Sequence, residues 1–343
     1  MYKKSIFISL VLIYLVIIAG AVVRMTGSGM GCPDWPKCFG YIIPPTNEAE
    51  LIWTPEKSYQ KGQVIIVDET LRVAKSDFTT DSEFNPQNWN GYDKHSYAIF
   101  NPWHTWIEYI NRLLGALAGL SFLVTLGIAI FKERKFKRIF LSLLAVGLIG
   151  FQGWIGATVV YSVLSPVRIT IHMVIALLIV ALLIYMLIEA SPYNKSFKFD
   201  KAFKNGMIIA VILTLIQIVL GTQVRQHIDE TIDVVGYEAK ELWLQNPVVT
   251  FYIHRSFSIL VLLLNAWLFI RNKRFILGHK NLKWVVILIL AEIFTGVLMN
   301  YFEFPFLTQP LHLVIASVLF GFQFYILLTA FKEKEALSST SLQ

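Results

Sequence analysis

Residues 168–189 read RITIHMVIALLIVALLIYMLIE, a run with one histidine in its interior and a charge at each end. A helix of about 20 such residues is long enough to cross the hydrocarbon core of a bilayer. Similar runs recur along the 343 residues, of which 55% are hydrophobic and 15% are charged. An average soluble domain is roughly 25% charged. The composition therefore excludes a soluble globule and indicates an all-α integral membrane protein in contact with lipid.

Eight runs of this kind predict eight transmembrane helices. They cover residues 5–23, 104–131, 139–161, 168–189, 206–225, 248–270, 282–301 and 309–331. The first run has the position of a signal peptide, but it leads into Arg24 without a small-residue cleavage site. We therefore interpret it as a retained helix.

The distribution of basic residues along the chain indicates its orientation in the membrane. The formal net charge is +7, but the basic residues form short clusters between apolar runs, which argues against nucleic acid as a partner. The clearest clusters are 132–135 and 271–274, after helices two and six. The positive-inside rule then predicts cytoplasmic termini in a multi-pass protein of the cell membrane. Segments 25–103 and 226–247 are predicted to be extracytoplasmic, the first as a solvated loop with modest structure.

An internal repeat relates the two halves of the chain. Tyr-Ile-Asn-Arg at 109–112 matches Tyr-Ile-His-Arg at 252–255, and helices three and four align with helices seven and eight at one constant offset. The matched positions include Gly156 with Gly296, Tyr161 with Tyr301, His172 with His312, and the helix ends 20–24 with 221–225. Duplication is common in membrane bundles. We predict two tandem four-helix bundles of parallel orientation, 1–190 and 191–343.

Three histidines lie one or two turns inside the predicted outer ends of their helices: His172, His254 and His312. Ionisable residues at such positions are functional hypotheses. His254 on helix six and His312 on helix eight are predicted to be the two axial ligands of one heme iron. The first half would build its site from His172 and Asn111. The alternative is an interhelical hydrogen bond, whereas zinc or copper is disfavoured because neither half clusters three His or Cys ligands in its membrane region.

Arginines lie beside these positions at the predicted outer boundary. They are Arg24, Arg112, Arg168, Arg225 and Arg255. Fixed cations of this kind pair with carboxylates such as heme propionates, although an arginine at a helix end also simply meets water and lipid headgroups. The other histidines are predicted not to be ligands, because His95 and His227 lie outside the membrane and His279 lies in a cytoplasmic turn.

Glu108 is an acid on an apolar helix. It shares one helix face with His104 and Asn111, and its counterpart in the second half is Phe251. The two halves therefore differ at a position where a carboxylate could take part in chemistry. A carboxylate near a heme can relay protons during oxygen activation or stabilise a developing charge. The alternative is an ion pair with a neighbouring arginine such as Arg112.

Cys32 and Cys38 are the two cysteines of the chain. Both lie on the predicted oxidising side of the membrane, so a disulfide is expected. The bond is either a loop staple or a redox-active pair that handles electrons, and the spacing does not decide between them.

The segment 24–38, Glu-Tyr-x-x-Arg at 108–112 and the three outer-end histidines together resemble the heme A synthase family of the cytochrome oxidase assembly pathway. The resemblance covers nearly the whole chain. It implies a membrane enzyme that oxidises the C8 methyl group of heme O to the formyl group of heme A, by successive hydroxylations and loss of water. It further implies a heme b cofactor in the C-terminal half and the substrate heme in the N-terminal half.

By this resemblance His254 and His312 hold heme b, while His172 and Glu108 line the reaction site. The cysteines correspond to the family's extracytoplasmic pair, and a heme O synthase is the implied supplier of heme O. The chain departs from the family at Asn111, where the family commonly has histidine. The substrate heme would then be five-coordinate on His172 or take a ligand from elsewhere, and the nearest candidate, His104, lies about 10 Å away along the helix.

Two other functional classes compete with the enzyme. One is a diheme b-type membrane electron carrier, and the other is a heme transporter or chaperone that leaves its heme unmodified. Glu108 and the asymmetry of the halves favour the enzyme, because an electron carrier is expected to keep both irons fully ligated. The sequence leaves open the electron donor, the oxygen source, the role of the loop at 41–100 and the number of subunits in any homo-oligomer.

Overall fold

The computed structural model describes residues 1–191 and 197–340, with side chains described except at 332–340. Eight α-helices within these residues are α1 Tyr2–Met25, α2 Pro102–Ile128, α3 Phe136–Tyr161, α4 Pro166–Glu189, α5 Lys201–Val235, α6 Val249–Arg274, α7 Leu282–Tyr301 and α8 Thr308–Thr340. Each is long and apolar enough to span a membrane. The predicted all-α integral membrane protein with eight transmembrane helices is confirmed.

Helix α5 is longer than its apolar core predicts. We expected a span at 206–225, with residues 226–247 as a connection, but the helix continues to Val235. Its C-terminal turns carry a buried stripe at four-residue spacing: Val224, Ile228 and Ile232. This stripe packs against Trp243 and Phe304. A helix with one apolar face persists beyond the bilayer, whereas a search for apolar runs ends at the first polar residues.

Side-chain caps fix where two of the helices begin. The Asn101 side-chain oxygen accepts a hydrogen bond from the backbone N–H of Trp103 at 3.0 Å, and Pro102 occupies the first helical position. At α5 the capping residue is Asp200, which also forms a bidentate ion pair with Arg271, with both N···O distances at 2.9 Å. The Arg271 hydrogen bonds hold the pKa of the Asp200 carboxyl below its ordinary value.

The chain divides into two compact units. The first comprises Leu15–Leu120 and Ile149–His172, and the second comprises Met1–Tyr14, Ser121–Leu148 and Met173–Gln343. These units do not coincide with the predicted halves 1–190 and 191–343. The division into halves concerns the internal repeat rather than packing, and it stays a prediction.

The segment between α1 and α2 carries more structure than a solvated loop. Its strands are β1 Ser58–Tyr59, β2 Val64–Val67, β3 Thr70–Ala74, β4 Phe78–Thr79 and β5 Trp89–Gly91. They form antiparallel sheets in the orders β1-β4 and β2-β3-β5. The β2–β3 turn, Asp68-Glu69, has positive φ at both residues, as a two-residue hairpin of matching twist requires. Small apolar cores lie around Trp89 and around Phe39.

The second unit contains the bundle that positions one of the candidate sites. Helix α5 packs against α6 and α8, and α7 packs against the same two helices. Its apolar core contains Leu268, Val285 and Phe320. One buried polar contact crosses this core, where the Gln323 amide donates to the Asn265 side-chain oxygen at 3.1 Å. Such contacts fix the rotation of membrane helices, and with it the direction in which their histidines point.

His279 lies between α6 and α7 and is part of the fold rather than of a heme site. Its ring stacks between Phe197 and Phe203, with centroid distances of 4.8 and 4.7 Å. The side chain is 2% exposed. Burial lowers the pKa of His279 from 6.5 to about 4. As the pH falls, the imidazole of His279 is therefore protonated in the unfolded chain before it is protonated in the folded protein. The contribution of this histidine to the free energy of unfolding is complete above about pH 6.5 and is lost as the pH falls toward about 4.

Replacing His279 with phenylalanine is expected to flatten the acid side of the stability profile, since a ring without a proton site keeps the stack. The expected loss in the wild type is on the order of 3 kcal/mol across this pH window. Thermal unfolding of both proteins in detergent, between about pH 7 and about pH 4, measures the difference. Parallel pH profiles of the two proteins would show that His279 does not titrate with unfolding.

Candidate functional site

Four matched positions on even-numbered helices face a glycine of the preceding helix. A Cβ built on that glycine would lie close to the facing side chain: 3.9 Å for Gly20 and Asn111, 3.4 Å for Gly156 and His172, 3.1 Å for Gly221 and His254, and 3.7 Å for Gly296 and His312. The missing side chains leave the space that these rings and the Asn111 amide occupy. The recurrence supports four equivalent positions, three with histidine and one with asparagine.

His254 and His312 face one another within the bundle of the second unit. Their ring centroids are 6.3 Å apart, with an angle of 69° between the ring planes. A metal–imidazole bond is about 2 Å long, so this separation accommodates one metal ion between a nitrogen of each ring. The Nδ1 atoms of His254 and His172 are buried without a hydrogen-bond partner among the described residues. The pair fits two axial ligands of one heme iron.

Polar side chains four residues before three of these glycines contact the histidine helices. Gln152 Nε2 donates to the His172 carbonyl at 3.0 Å, Gln217 Nε2 donates to the His254 carbonyl at 2.9 Å, and Glu292 Oε2 lies 3.0 Å from His312 Nδ1. Our sequence reasoning missed all three residues. The signal was present as Gln-x-x-x-Gly or Glu-x-x-x-Gly. At the fourth site Val16 occupies this position before Gly20.

Glu108 is 4% exposed and fully engaged in the structure. Its Oε2 accepts a hydrogen bond from the backbone N–H of Cys32 at 2.8 Å. Its Oε1 accepts from Arg112 Nε at 3.1 Å and from Nη2 at 2.5 Å. The ion pair with Arg112, which the sequence left as an alternative, is present. Because the same carboxylate also holds the cysteine loop, Glu108 connects that loop to helix α2.

Arg112 uses all five of its N–H donors. Besides the two bonds to Glu108, it donates to the carbonyls of Cys32 at 2.8 Å, Asp34 at 2.6 Å and Lys37 at 2.9 Å. A guanidinium has five donors, so this set is complete. The geometry makes Arg112 an anchor of the cysteine loop. Its predicted pairing with a propionate would require some of these bonds to break, and that role stays a prediction.

The cysteine loop lies directly on the start of helix α2. The expected disulfide between Cys32 and Cys38 is present. Thr105 Oγ1 donates to the Gly31 carbonyl at 2.8 Å. A Cβ on Gly31 would lie 2.3 Å from the His104 carbonyl oxygen, so the backbone approach requires glycine. This packing favours a structural contribution of the disulfide and leaves a redox role open.

Asp34 organises the interior of the same loop. Its carboxyl oxygens accept hydrogen bonds from the backbone N–H groups of Phe39 at 2.5 Å and Gly40 at 2.7 Å. Burial raises the pKa of Asp34 above its ordinary value, although these two donors favour the carboxylate. The turn that carries Cys38 is therefore built around an acid that the sequence did not single out.

The other candidate arginines have different surroundings. Arg24 lies in the last turn of α1, Arg168 Nη1 donates to the Thr158 carbonyl at 2.7 Å, Arg225 Nη2 lies 2.8 Å from Asp229 Oδ1, and the Arg255 guanidinium lies over the rings of Phe251 and Tyr252. Arg168 and Arg255 are exposed. Arginines are thus present near the predicted outer helix ends in both predicted halves. Their pairing with propionates stays a prediction.

Two histidines outside the repeat have local contacts instead. His95 Nε2 lies 2.8 Å from the Pro33 carbonyl oxygen, and His227 Nε2 lies 3.1 Å from that of Asn246. His95 also packs edge-on against Tyr92. These contacts place His95 in the structure of the segment between α1 and α2, and they connect His227, in the C-terminal part of α5, to the segment that follows that helix.

Residues 3–324 match the COX15-CtaA family, described as cytochrome oxidase assembly protein. The chain belongs to this family. The match covers both predicted halves and includes His172, His254 and His312, and the resemblance to this family is confirmed. His254 and His312, two of the residues that carry the resemblance, are also brought together by the structure.

Curated relatives named heme A synthase are similar to this chain over most of its length. The protein of Ehrlichia canis is 27% identical and covers 92% of this chain and 89% of its own length. That of Rickettsia felis is 25% identical, with 92% and 94% covered. That of Brucella suis is 29% identical, with 74% and 69% covered. For the first two relatives, the similarity therefore extends over both predicted halves and the segment between α1 and α2.

Proposed function

We propose that this chain is a heme A synthase, an oxidoreductase that converts the C8 methyl group of heme O to the formyl group of heme A. The proposed course is successive hydroxylation of the methyl carbon followed by loss of water. The observation that carries the proposal is the asymmetry of the two repeats. In the second repeat, the rings of His254 and His312 face one another with their centroids 6.3 Å apart. The first repeat instead has His172, Asn111 and the buried acid Glu108.

His254 and His312 are proposed to hold heme b, which when bound supplies an iron that exchanges electrons with the reaction. The space that Gly221 and Gly296 leave for the two rings, and the way the rings face one another, support this assignment. The helices that carry this pair pack through an apolar core. We assign no further chemistry to this site.

The first repeat is proposed to receive heme O. His172 is its one histidine at a matched position, and Gln152 fixes the backbone of that residue. Glu108 is proposed to hold or move a proton at its Oε1 or Oε2 atom as the methyl carbon is oxidised. Arg112 and the Cys32 N–H orient this carboxylate and favour its charged form.

The biological setting follows from the family and from the charge pattern. We propose that the protein lies in the cell membrane with its termini in the cytoplasm, so that the segment 25–103 is extracytoplasmic. Heme O would come from a heme O synthase, and the electrons from a donor of unspecified kind. A homo-oligomer is compatible with the fold, and its subunit number is left open.

Heme extraction tests the proposed function. The chain is expressed together with a heme O synthase, and the extracted hemes are separated by chromatography with mass detection. Heme A, or its hydroxymethyl precursor, is expected only when this chain is present. Cells with the heme O synthase alone are the control. Unaltered heme O beside a folded, heme-loaded protein would contradict the proposal and favour an electron carrier or a chaperone.

A further inference from the structure

The two histidines of the second repeat have unequal surroundings. His312 Nδ1 lies 3.0 Å from Glu292 Oε2 and 2.8 Å from Thr295 Oγ1. His254 Nδ1 is buried and has no hydrogen-bond partner among the described residues. One imidazole is therefore held through its ring, and the other is held through its helix backbone by Gln217.

The contacts of Thr295 determine which nitrogen of His312 carries hydrogen. Thr295 Oγ1 donates to the carbonyls of Ala291 and Glu292, both at 3.0 Å. When this single proton is directed to those carbonyls, the hydroxyl oxygen accepts from His312 Nδ1, which lies 2.8 Å away. The Glu292 carboxylate is an acceptor as well. Nδ1 of His312 is thus the protonated nitrogen, which leaves Nε2 unprotonated and able to bind a metal.

The acid is specific to this repeat. The residues that occupy its position at two other sites, Gln152 and Gln217, donate to a backbone carbonyl, which a carboxylate cannot do. Glu292 instead accepts from the imidazole. Its side chain is 16% exposed, so the charge is poorly screened by water. A carboxylate that accepts the distal N–H of a metal-bound histidine raises the basicity of that ligand.

We infer that Glu292 is a positioning residue that makes His312 the stronger donor of the two axial histidines and lowers the reduction potential of the heme iron bound there. The inference rests on the proposed function, because it requires a heme at His254 and His312. Negative charge passed to the iron through His312 stabilises the ferric state relative to the ferrous state. Hydrogen bonding of this kind is one of the means by which a protein sets a heme potential.

The test compares Glu292→Gln with the wild type as purified, heme-loaded proteins. Glutamine keeps the size and one acceptor oxygen but removes the charge. We expect Glu292→Gln to lower the preference of the site for ferric over ferrous iron about tenfold, at the lower end of the effects of outer partners of metal ligands. A tenfold change raises the midpoint potential by about 59 mV in a redox titration. The low-spin ferric EPR spectrum is expected to shift while the heme content stays constant. Thr295→Val should shift the potential in the same direction by less.

Glu230→Gln is the matched control, since it makes the same substitution on an exposed residue near the outer end of α5, and it should leave the potential unchanged. A heme-loaded Glu292→Gln protein with the wild-type potential and EPR spectrum would overturn the inference and leave the proposed function standing. Absence of heme from the wild type, or its full retention in a His254→Ala and His312→Ala double variant, would instead contradict the proposed heme site.

Discussion

Replacing Glu108 with glutamine is expected to lower the rate of heme A formation at least about hundredfold, with heme b retained in the second repeat. Proton transfer by a positioned side chain contributes roughly 10²- to 10⁴-fold to a reaction rate. The amide has no proton to exchange at the relevant oxygen. It also leaves the charge of Arg112, a residue with 15% exposure, without its carboxylate. Product formation per heme-loaded protein in membranes measures the effect.

A loss of activity alone does not separate chemistry from loop structure, because Glu108 also holds Cys32. The companion variant is therefore Arg112→Gln. It removes all five hydrogen bonds of the guanidinium but keeps the carboxylate. Limited proteolysis of the segment between α1 and α2 reports on the loop. Arg112→Gln is expected to loosen the loop more, and Glu108→Gln to lose more activity.

Glu83→Gln, an exposed carboxylate of the same segment, is the control and should behave as the wild type. Equal loss of activity in the Arg112 and Glu108 variants, in proportion to the loosening of the loop, would show that Glu108 is an anchor only. Wild-type activity of a heme-loaded Glu108→Gln protein would remove the residue from the mechanism entirely.

The membrane fold was predictable because it depends on properties that are local in the sequence. Eight apolar runs of sufficient length give eight spans, and the structure confirms each of them. The prediction was least accurate at α5, whose C-terminal extension packs against Trp243 and Phe304. That contact comes from later parts of the chain, so hydropathy carries no sign of it. The sheets of the segment 25–103 were missed for a similar reason.

Some of the candidate site residues are likewise indicated by the local sequence, whereas others depend on how distant parts of the chain pack. His254 and His312, whose rings face one another, could be selected from the sequence because a histidine in an apolar helix is unusual and because the predicted repeat places similar residues at matched positions. Their role as heme ligands stays a prediction. Glu292 is as unusual by the same criterion, yet nothing local shows that it faces His312, since this depends on the rotation of α7 relative to α8. The five bonds of Arg112 depend on how a loop far away in the sequence folds over α2.

The second large expected effect is the loss of heme b from His254→Ala and from His312→Ala. A heme iron bound by two imidazoles loses one axial ligand in either variant, so bound heme b and product formation should both fall to near zero. Heme content per purified protein, from the absorbance spectrum of the reduced pyridine complex, measures this directly. His227→Ala is the control, because that ring lies 3.1 Å from the Asn246 carbonyl oxygen and away from the matched positions, and this variant should keep its heme.

His172→Ala should behave differently if the repeats have separate roles. It is expected to retain heme b and to lose product formation, since His172 belongs to the other repeat.

Added imidazole tests whether the space beside Gly221 holds the ligand ring. In His254→Ala the space beside Gly221, where a Cβ would lie 3.1 Å from the ring, is left empty, so free imidazole should restore part of the heme content. Full heme content in His254→Ala without imidazole would contradict the ligand assignment.

The two alanine variants should also differ in stability, and the difference follows from Glu292. Removing the His254 ring deletes a side chain whose Nδ1 has no hydrogen-bond partner in the described part of the chain. Removing the His312 ring takes away the N–H that Glu292 Oε2 accepts, in a site where Oε1 is already buried without a hydrogen-bond partner among the described residues. An unsatisfied buried polar group costs about 1–3 kcal/mol and a charged one costs more. His312→Ala should therefore unfold at the lower temperature, and Glu292→Leu in the same background should recover the loss. Equal unfolding temperatures for the two alanine variants would mean that Glu292 finds another donor when His312 is absent.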